Sequence, residues 1–484
     1  MEVTIERFKN IQSLNIDITG LTLLVGGNNA GKSSVLQAIQ FGASVAQTSA
    51  MQGGAWSAGR VSTSIGQRDL VYSPIKDVLS LGLNGRLRQA TTEAITITYR
   101  KGTDEAKVSV RKGKNKNILL EVVGDPLGQQ LQSITDPFSA LVTGLAGVPS
   151  EEEFETNLVV KKAAARGDSN SVFRNILLQL SKYQSKWQRF QKQVESVFPG
   201  YSVAVSFDPD SDENINCIVR RGGTEYPIDT CGTGVLQCIQ IFSYANLFAP
   251  TILLLDEPDS HLHPNNQKQL ARELIDVAGT GMNIVISTHS KHLVEALLDS
   301  AKLIWLIDGN KQSEVDDYEL KALLEIGALN VGERLGNPTH IVLTEDTNKG
   351  LLEMLLEANG FDLDTVEVVA YSGCTQIGTA VALISHLRKT HPAATFLLHR
   401  DRDFLDQADI ATFTTRFQQM NVKVFVPDNN DLESYFTNPA HIAAACQISI
   451  SLATQIVDAA FLARKDDLTA KYVNTKIENL RKSG

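Results

Sequence analysis

The pattern of apolar positions divides the chain into two α/β segments. Residues 3–5 and 21–25 (LTLLV) are short runs of β-branched residues and leucine, and predict strands. The second run leads directly into a glycine-rich turn at 26–31, after which Val35, Leu36 and Ile39 take up helical spacing. Residues 53–92 start Gly- and Ser-rich and carry no clear period. Ile95, Ile97 and Tyr99 alternate with polar residues, as do Val108 and Val110, and 118–123 adds a further run. These are expected to be antiparallel strands with one wet face. Residues 125–200 read as a helical insertion. Apolar residues at 173, 176, 177, 180, 183, 187, 190, 194 and 197 predict one helix of about six turns, stopped by Pro199-Gly200. That stripe suits a packed core helix or a dimerisation arm. Strands return at Val203, Val205 and Phe207. Residues 251–255 (TILLL) and 284–286 (IVI) are continuous apolar runs, as in buried parallel strands, with an amphipathic helix near 265–277 between them. A break at Pro338 opens a second, smaller segment. Strand-like runs at 340–344, 366–370, 395–398 and 422–426 alternate there with helices, and a charged helical tail follows 450. The expected division is 1–335 and 338–484.

Composition narrows the classes. The chain has 484 residues, 43% hydrophobic and 21% charged, which excludes a disordered, collagen-like or disulfide-scaffold protein. With 45 basic against 55 acidic residues the formal net charge is −10. That argues against a globally basic nucleic-acid coat protein but leaves room for a local basic groove. Basic residues at 101, 107, 111, 112, 114 and 116 suit a DNA-backbone contact or a solvated turn equally. Cysteines at 217, 231, 238, 374 and 446 form no C-x-x-C pair and read as free thiols of a reducing compartment. The first residues lack the basic and apolar regions of a signal peptide, and no apolar run approaches ~18 residues. A soluble, cytoplasmic protein without membrane contact is expected.

The segment Gly26-Gly27-Asn28-Asn29-Ala30-Gly31-Lys32-Ser33 matches G-x-x-x-x-G-K-[ST], between a predicted strand and a predicted helix. Its glycines let backbone N–H groups face a phosphate, and the helix N-terminus adds its positive end. Lys32 is placed to neutralise the β- and γ-phosphates, and the Ser33 hydroxyl to ligate Mg²⁺. Asp256-Glu257 closes an apolar strand at a sheet edge, where open α/β folds hold ligands. Asp256 is expected to hold Mg²⁺ through water and Glu257 to polarise the attacking water. His289, in Ser-Thr-His-Ser after the next parallel strand, is expected to meet the γ-phosphate or that water.

The second segment carries acids at strand ends. Glu345 follows 340–344, Asp401 and Asp403 follow 395–398, and Glu433 follows 422–426. Gathered at one sheet edge, such carboxylates repel unless cations lie among them. One or two Mg²⁺ or Mn²⁺ ions with oxygen ligands would suit, arranged to clamp both oxygens of a phosphodiester displacement.

The segments FKNIQSLNIDI (8–18), GGNNAGKSS (26–34), LLLDEPDSHLHP (253–264) and STHS (287–290) resemble an ABC-type ATPase of the branch that includes SMC and RecF-like proteins. HLHP after the acidic pair is similar to the OLD (overcoming lysogenisation defect) members. The resemblance implies an ATP site lined by Gly26, Asn28, Asn29, Gly31, Lys32, Ser33 and Ser34. It also implies a signature at 230–237, with Thr233 or Gly234 reaching ATP held by a second copy, and hence a homodimer or higher oligomer. That signature departs from the LSGGQ of transporters, and no membrane segment accompanies it. Glu345, Asp401-x-Asp403 and Glu433 resemble the Toprim domain of OLD nucleases over about 338–440. The family's Glu-Gly is Glu345-Asp346 here, so that Asp346 offers another ligand in the glycine's place. A basic residue near the C-terminus is also implied, for which Lys465, Lys471 and Lys476 are equal candidates. The resemblance implies an ATP-regulated, Mg²⁺- or Mn²⁺-dependent DNA endonuclease of prokaryotic antiphage defence, in some cases with a partner encoded beside it. The alternative is an ATP-driven sensor or scaffold whose Toprim domain no longer cleaves.

Overall fold

A strand that alternates buried and exposed residues needs one dry face, whereas a strand buried throughout needs two. Both kinds occur in the computed structural model, which describes residues 1–27, 29–144, 147–167, 169–311, 338–346, 348–371, 377–403 and 405–482. The chain divides into two compact units, Met1–Glu314 and Val315–Gly484. The expected break at 335–338 borders residues 312–337, outside the described residues.

In unit 1 the alternating strands β1 (Glu2–Phe8) and β2 (Ile11–Asp17) form an antiparallel pair. The next strand, β3 (Leu21–Val25), is buried at every position and belongs to a different sheet. The antiparallel sheet continues through β4 (Arg60–Ile65), β5 (Ile95–Lys101), β6 (Asp104–Lys112) and β7 (Ile118–Val123), in the order β2-β1-β5-β6-β7-β4. Around β3 stand β8 (Ser139–Val142), β12 (Ile252–Asp256), β13 (Asn283–Ser287) and β14 (Ala301–Ile307), all parallel. The two-residue β15 (Asn310–Lys311) pairs antiparallel at the edge, giving the order β15-β14-β3-β13-β12-β8. Between β8 and β12 in sequence, β9 (Tyr201–Ser206), β10 (Asn216–Arg221) and β11 (Thr224–Pro227) make a small antiparallel sheet.

Helix α1 (Lys32–Met51) has 15 buried residues of 20, because its side chains join one apolar cluster with both large sheets. Close approach is possible at Gly42, where a Cβ would lie 2.3 Å from Tyr99 Oη and 3.2 Å from Ile97 Cβ. The buried Tyr99 hydroxyl donates to the Ile39 carbonyl of the same helix at 2.6 Å.

The segment 125–200 departs from the expected insertion in two ways. Ser139–Val142 (SALV) is a strand of the central parallel sheet, paired with β12. A run of four residues is too short to show a period. The expected single helix over 173–197 is two helices, Phe173–Ser181 and Gln184–Val197, because Tyr183 adopts extended backbone (φ −108°, ψ 91°) with an exposed ring. Of the rest of the stripe, Trp187 is half-buried and Phe173, Ile176, Leu177, Leu180, Phe190, Val194 and Val197 are buried within unit 1. Both helices pack on the helix Thr233–Leu247, so the stripe serves a core.

Unit 2 has one described sheet of four parallel strands, β16 (His340–Thr344), β17 (Val366–Ala370), β18 (Thr395–His399) and β19 (Lys423–Phe425), in the order β17-β16-β18-β19. Parallel neighbours require crossovers, here the helices Gly350–Ala358, Ile377–Thr390 and Gln407–Gln419. Val342, Leu352, Leu356, Val366, Val368 and Leu432 pack together beneath the sheet. The helices Pro439–Cys446 and Ile450–Lys482 follow, the latter exposing Ile450, Ile456, Phe461 and Leu462. Among the described residues no single helix is long and apolar enough to cross a membrane; Pro439–Cys446 and Ile450–Asp467 reach that length only together, across a 119° bend.

Alanine favours a helix over glycine by about 1 kcal/mol, yet Gly42→Ala is expected to lower stability by about 1–3 kcal/mol through overpacking. Urea unfolding measures this. Adding Tyr99→Phe should restore part of the loss by removing the hydroxyl that the new methyl meets; a Gly42→Ala protein as stable as wild type would refute the contact.

Candidate functional site

The chain leaves β3 through Gly26 (φ 152°), Asn29 (φ 59°) and Gly31 (φ 104°), all outside the right-handed region. Glycine is required at 26, where a Cβ would lie 2.4 Å from the Leu306 carbonyl oxygen. Asn29 is among the few non-glycine types that tolerate a left-handed backbone. Gly31 caps α1 without any side-chain hydrogen bond, so no side chain stands over the N-terminal amides of the helix. Lys32 Nζ donates back to the carbonyls of Gly26 and Gly27 at 2.9 and 2.8 Å, holding the loop curled. Asn28 lies outside the described residues.

Parallel register brings the other predicted groups to this edge. Ser33 Oγ donates to Asp256 Oδ1 at 2.9 Å, and Ser287 Oγ donates to the same oxygen. Glu257 adopts φ 50°, held by its N–H donating to the Ser287 carbonyl at 3.0 Å. Its carboxylate lies 3.3 Å from His289 Nε2. A cavity of about 600 Å³ opens here, lined by Asn29–Ser34, Glu257, His289, Lys9 and Asn10. That volume suits a nucleotide-sized ligand. Thr233 and Gly234 do not line it. They open the helix Thr233–Leu247, and a Cβ on Gly234 would lie 2.8 Å from the His261 carbonyl oxygen, so this glycine has a packing reason of its own.

The acids of unit 2 collect at the C-terminal ends of parallel strands. Asp401 N–H donates to Glu345 Oε1 at 2.5 Å, which joins the exits of β16 and β18. Burial pushes the Glu345 carboxyl up to about 7; the Asp401 N–H and Arg400 oppose this, while the Asp401 and Asp403 charges add to it. Asp346 is also raised, by burial first and then by Asp401, with Glu433 and Asp431 contributing. Asp403 (φ 44°) donates its N–H to the Asn430 carbonyl at 2.9 Å. One potential ligand atom from each of Asp346, His399 and Asp401 lies within 4.8 Å of the others. Among the described residues this three-way group contains Asp401 of the expected strand-end acids and Asp346, the further ligand offered in the glycine's place; Glu345, Asp403 and Glu433 border it. Lys465 is exposed on the last helix, and the side chains of Lys471 and Lys476 lie outside the described residues.

Residues 21–295 match the profile of a family described as "AAA domain, putative AbiEii toxin, Type IV TA system". The chain belongs to this family. It is an ATP-binding ATPase of the AAA/ABC type, related to the Old nuclease of Escherichia phage P2. That nuclease is 24% identical over 349 residues, 61% of this chain and 57% of its own length. The ribose import ATP-binding protein RbsA of Hahella chejuensis is 26% identical over 174 residues, 33% of this chain and 34% of that protein. The chain thus spans little more than half of the first relative and a third of the second. Among solved structures, the Smc head domain with an extended coiled coil bound to the C-terminal domain of ScpA, from Pyrococcus furiosus, is 13% identical with a TM-score of 0.43, covering 67% of this chain and 98% of that one.

Sequence reasoning missed several groups in this ATPase. Lys9 and Asn10 enter the cavity from the β1–β2 turn, and burial lowers the Lys9 ammonium while Asp256 opposes the shift. Asp259 accepts from Thr288 Oγ1 at 2.6 Å and Gln267 Oε1 accepts from Ser290 Oγ at 2.5 Å, bracing the loops on both sides of His289. The signals were present as the Lys-Asn of FKN, the last acid of DEPD and the flanks of STHS. In unit 2, His399 gave no signal of its own.

An acid raised in the folded state holds its proton more tightly there than in the unfolded chain. For Glu345 the protonated form therefore stabilises the metal-free fold fully below 4.5, and that contribution is lost as pH rises through about 7. The urea midpoint is expected to fall across this window. Glu345→Gln, which cannot ionise, should flatten the fall, and an equally steep fall in the variant would assign it to other groups.

Proposed function

We propose that this ATPase is an ATP-controlled, metal-dependent DNA endonuclease of the OLD type, acting in prokaryotic defence against phage. The observation that carries the reading is the carboxylate edge of unit 2, where Asp401 N–H is bonded to Glu345 and Asp346 stands in the same ligand group. Surface acids do not collect in this way without reason, because each raises the cost of ionising the next. The residues fit a divalent cation: Glu345 Oε2 and Asp401 Oδ1 are buried and have no hydrogen-bond partner among the described residues. A Mg²⁺ or Mn²⁺ ion bound there would supply charge neutralisation for a phosphodiester under attack. Glu345 fixes the Asp401 backbone, and Asp403 and Glu433 add negative charge beside the ligands. The relationship to Old nuclease and the toxin description of the family support the nuclease and defence parts of the reading.

In unit 1 we assign Lys32 and the N-terminal amides of α1 to the phosphates, and Ser33 with Asp256 to Mg²⁺. Glu257 orients the attacking water, and its contact with His289 holds the carboxylate in place. His289 is assigned to the γ-phosphate. Thr233 and Gly234 would act on ATP held by a second copy, which makes the working form a homodimer or larger.

A cleavage assay on supercoiled and linear DNA, with Mg²⁺ or Mn²⁺ and with or without ATP, tests this. Wild type should cleave, Asp401→Ala should lose cleavage while keeping ATPase activity, and Lys32→Ala should lose ATP binding. Glu257→Gln should keep ATP binding and lose hydrolysis by about 100-fold or more, as expected of a group that orients the nucleophile. No cleavage in any lane would overturn the nuclease reading in favour of an ATP-driven sensor or scaffold.

A further inference from the structure

The imidazole of His399 is fully buried at the end of β18, against the ring of Phe425 at 5.6 Å. One ring nitrogen is accounted for. Nδ1 lies 2.9 Å from Thr344 Oγ1, which also accepts the Asp346 N–H at 3.2 Å. Thr344 therefore fixes the ring and ties it to the backbone of Asp346. The other nitrogen has no such partner. Nε2 lies 3.5 Å from Asp401 Oδ1, longer than an N–H···O hydrogen bond of about 2.7–3.2 Å. Both atoms are buried and lack a hydrogen-bond partner among the described residues. Burying polar atoms unsatisfied is costly, and native proteins do it rarely. A cation between them removes the cost: ligand atoms about 2.1 Å from one ion stand about 3.0–4.2 Å apart, and Asp346, His399 and Asp401 each offer an atom within 4.8 Å of the other two.

We propose that His399 is a metal ligand, and that with Asp346 and Asp401 it makes a mixed nitrogen–oxygen site that selects a first-row transition ion such as Mn²⁺ over Mg²⁺. The proposal rests on the reading of unit 2 as a cation site and deepens it by naming the ion class. The physical basis is ligand chemistry. Mg²⁺ demands oxygen donors and keeps its waters, whereas imidazole suits transition ions. The Thr344 contact is the outer-shell bond that orients a ligating imidazole: Nδ1–H is donated to Thr344, which leaves the Nε2 lone pair directed at the ion. Spacing arguments from sequence favour acids for such a site, and His399 enters it only because β16 and β18 run in register, with Leu343 opposite Leu398 and hence Thr344 next to His399.

The test uses the full chain without nucleotide, and Mn²⁺ or Mg²⁺ alone as the probe. Calorimetric titration gives affinities, and pulsed electron paramagnetic resonance of bound Mn²⁺ detects a coordinated nitrogen directly. Wild type should bind Mn²⁺ with an imidazole ¹⁴N coupling that disappears in His399→Ala and Asp401→Ala and persists in Asp256→Asn. His399→Ala should weaken Mn²⁺ binding at least about tenfold and Mg²⁺ binding by less than about threefold. Thr344→Val, which leaves every ligand in place, should weaken Mn²⁺ binding about tenfold. If His399→Ala fails to fold, the wild-type coupling and the Thr344 variant decide. Mn²⁺ bound without nitrogen coupling, and lost in Asp401→Ala, would overturn the role of His399 and leave a carboxylate site standing. Mn²⁺ binding that Asp401→Ala does not change would overturn the cation site as well.

Discussion

Helix α1 is wedged between two sheets, with Gly42 against Tyr99 and the Ile39 carbonyl bonded to the Tyr99 hydroxyl. The position of its first turn is therefore set by the core and not by the loop before it. This constraint gives the nucleotide edge its chemistry. A helix end held rigidly and left without a side-chain cap presents its N-terminal amides at a fixed place. The loop from β3 must then reach that place in six residues, which forces Gly26 and Gly31 to positive φ and brings Gly26 against the Leu306 carbonyl. Ser33 follows one residue into the helix, and its hydroxyl meets Asp256 because β12 lies two strands from β3 in the same parallel sheet. Strand order and helix burial place the donors and the carboxylate before any ligand arrives, the preorganisation that phosphoryl chemistry draws on.

Unit 2 solves a different electrostatic problem with the same kind of edge. Acids at the exits of parallel strands are held close by backbone geometry, and burial makes their charges more costly still. The Glu345 carboxyl responds by moving up to about 7. A single N–H from Asp401 offsets part of this, but Glu345 Oε2 and Asp401 Oδ1 remain without hydrogen bonds among the described residues. An edge intended only for stability would have replaced these groups with apolar residues or supplied partners for them, since a half-satisfied polar network is worse than an apolar core. The cost is understandable where the same atoms also bind a cation.

The parallel strands were legible because burial on both faces leaves continuous apolar runs such as TILLL and IVI, and both sheets place their acids or loops at the ends of those runs. The phosphate loop was legible because its backbone needs glycine at particular positions. What failed to show depended on tertiary context. SALV joins the central sheet with only four residues, and its partner β12 lies more than a hundred positions away. The helical stripe over 173–197 kept its spacing through Tyr183, so nothing in the apolar pattern revealed that the backbone leaves the helix there. The Thr233-Gly234 pair was read for a ligand contact, while the structure gives Gly234 a close approach to His261.

His399 was hidden for a related reason. Read along the chain it is a polar residue beside Arg400 and Asp401, with every appearance of a solvated loop. In the fold it is the last residue of β18 and is fully buried, because the central strand of the sheet and the ring of Phe425 cover it. The Toprim resemblance directs attention to Glu345, Asp401 and Asp403, and within that frame Asp346, in the place of the family's glycine, reads as a departure that offers another ligand. Geometry adds the imidazole to it. Asp346 and His399 are joined through one hydroxyl, Thr344 Oγ1, so the substitution beside Glu345 and the imidazole beside Asp401 belong to one arrangement. A carboxylate and an imidazole held by the same hydroxyl, with a second carboxylate 3.5 Å from the open nitrogen, form a donor set that acids alone would not provide.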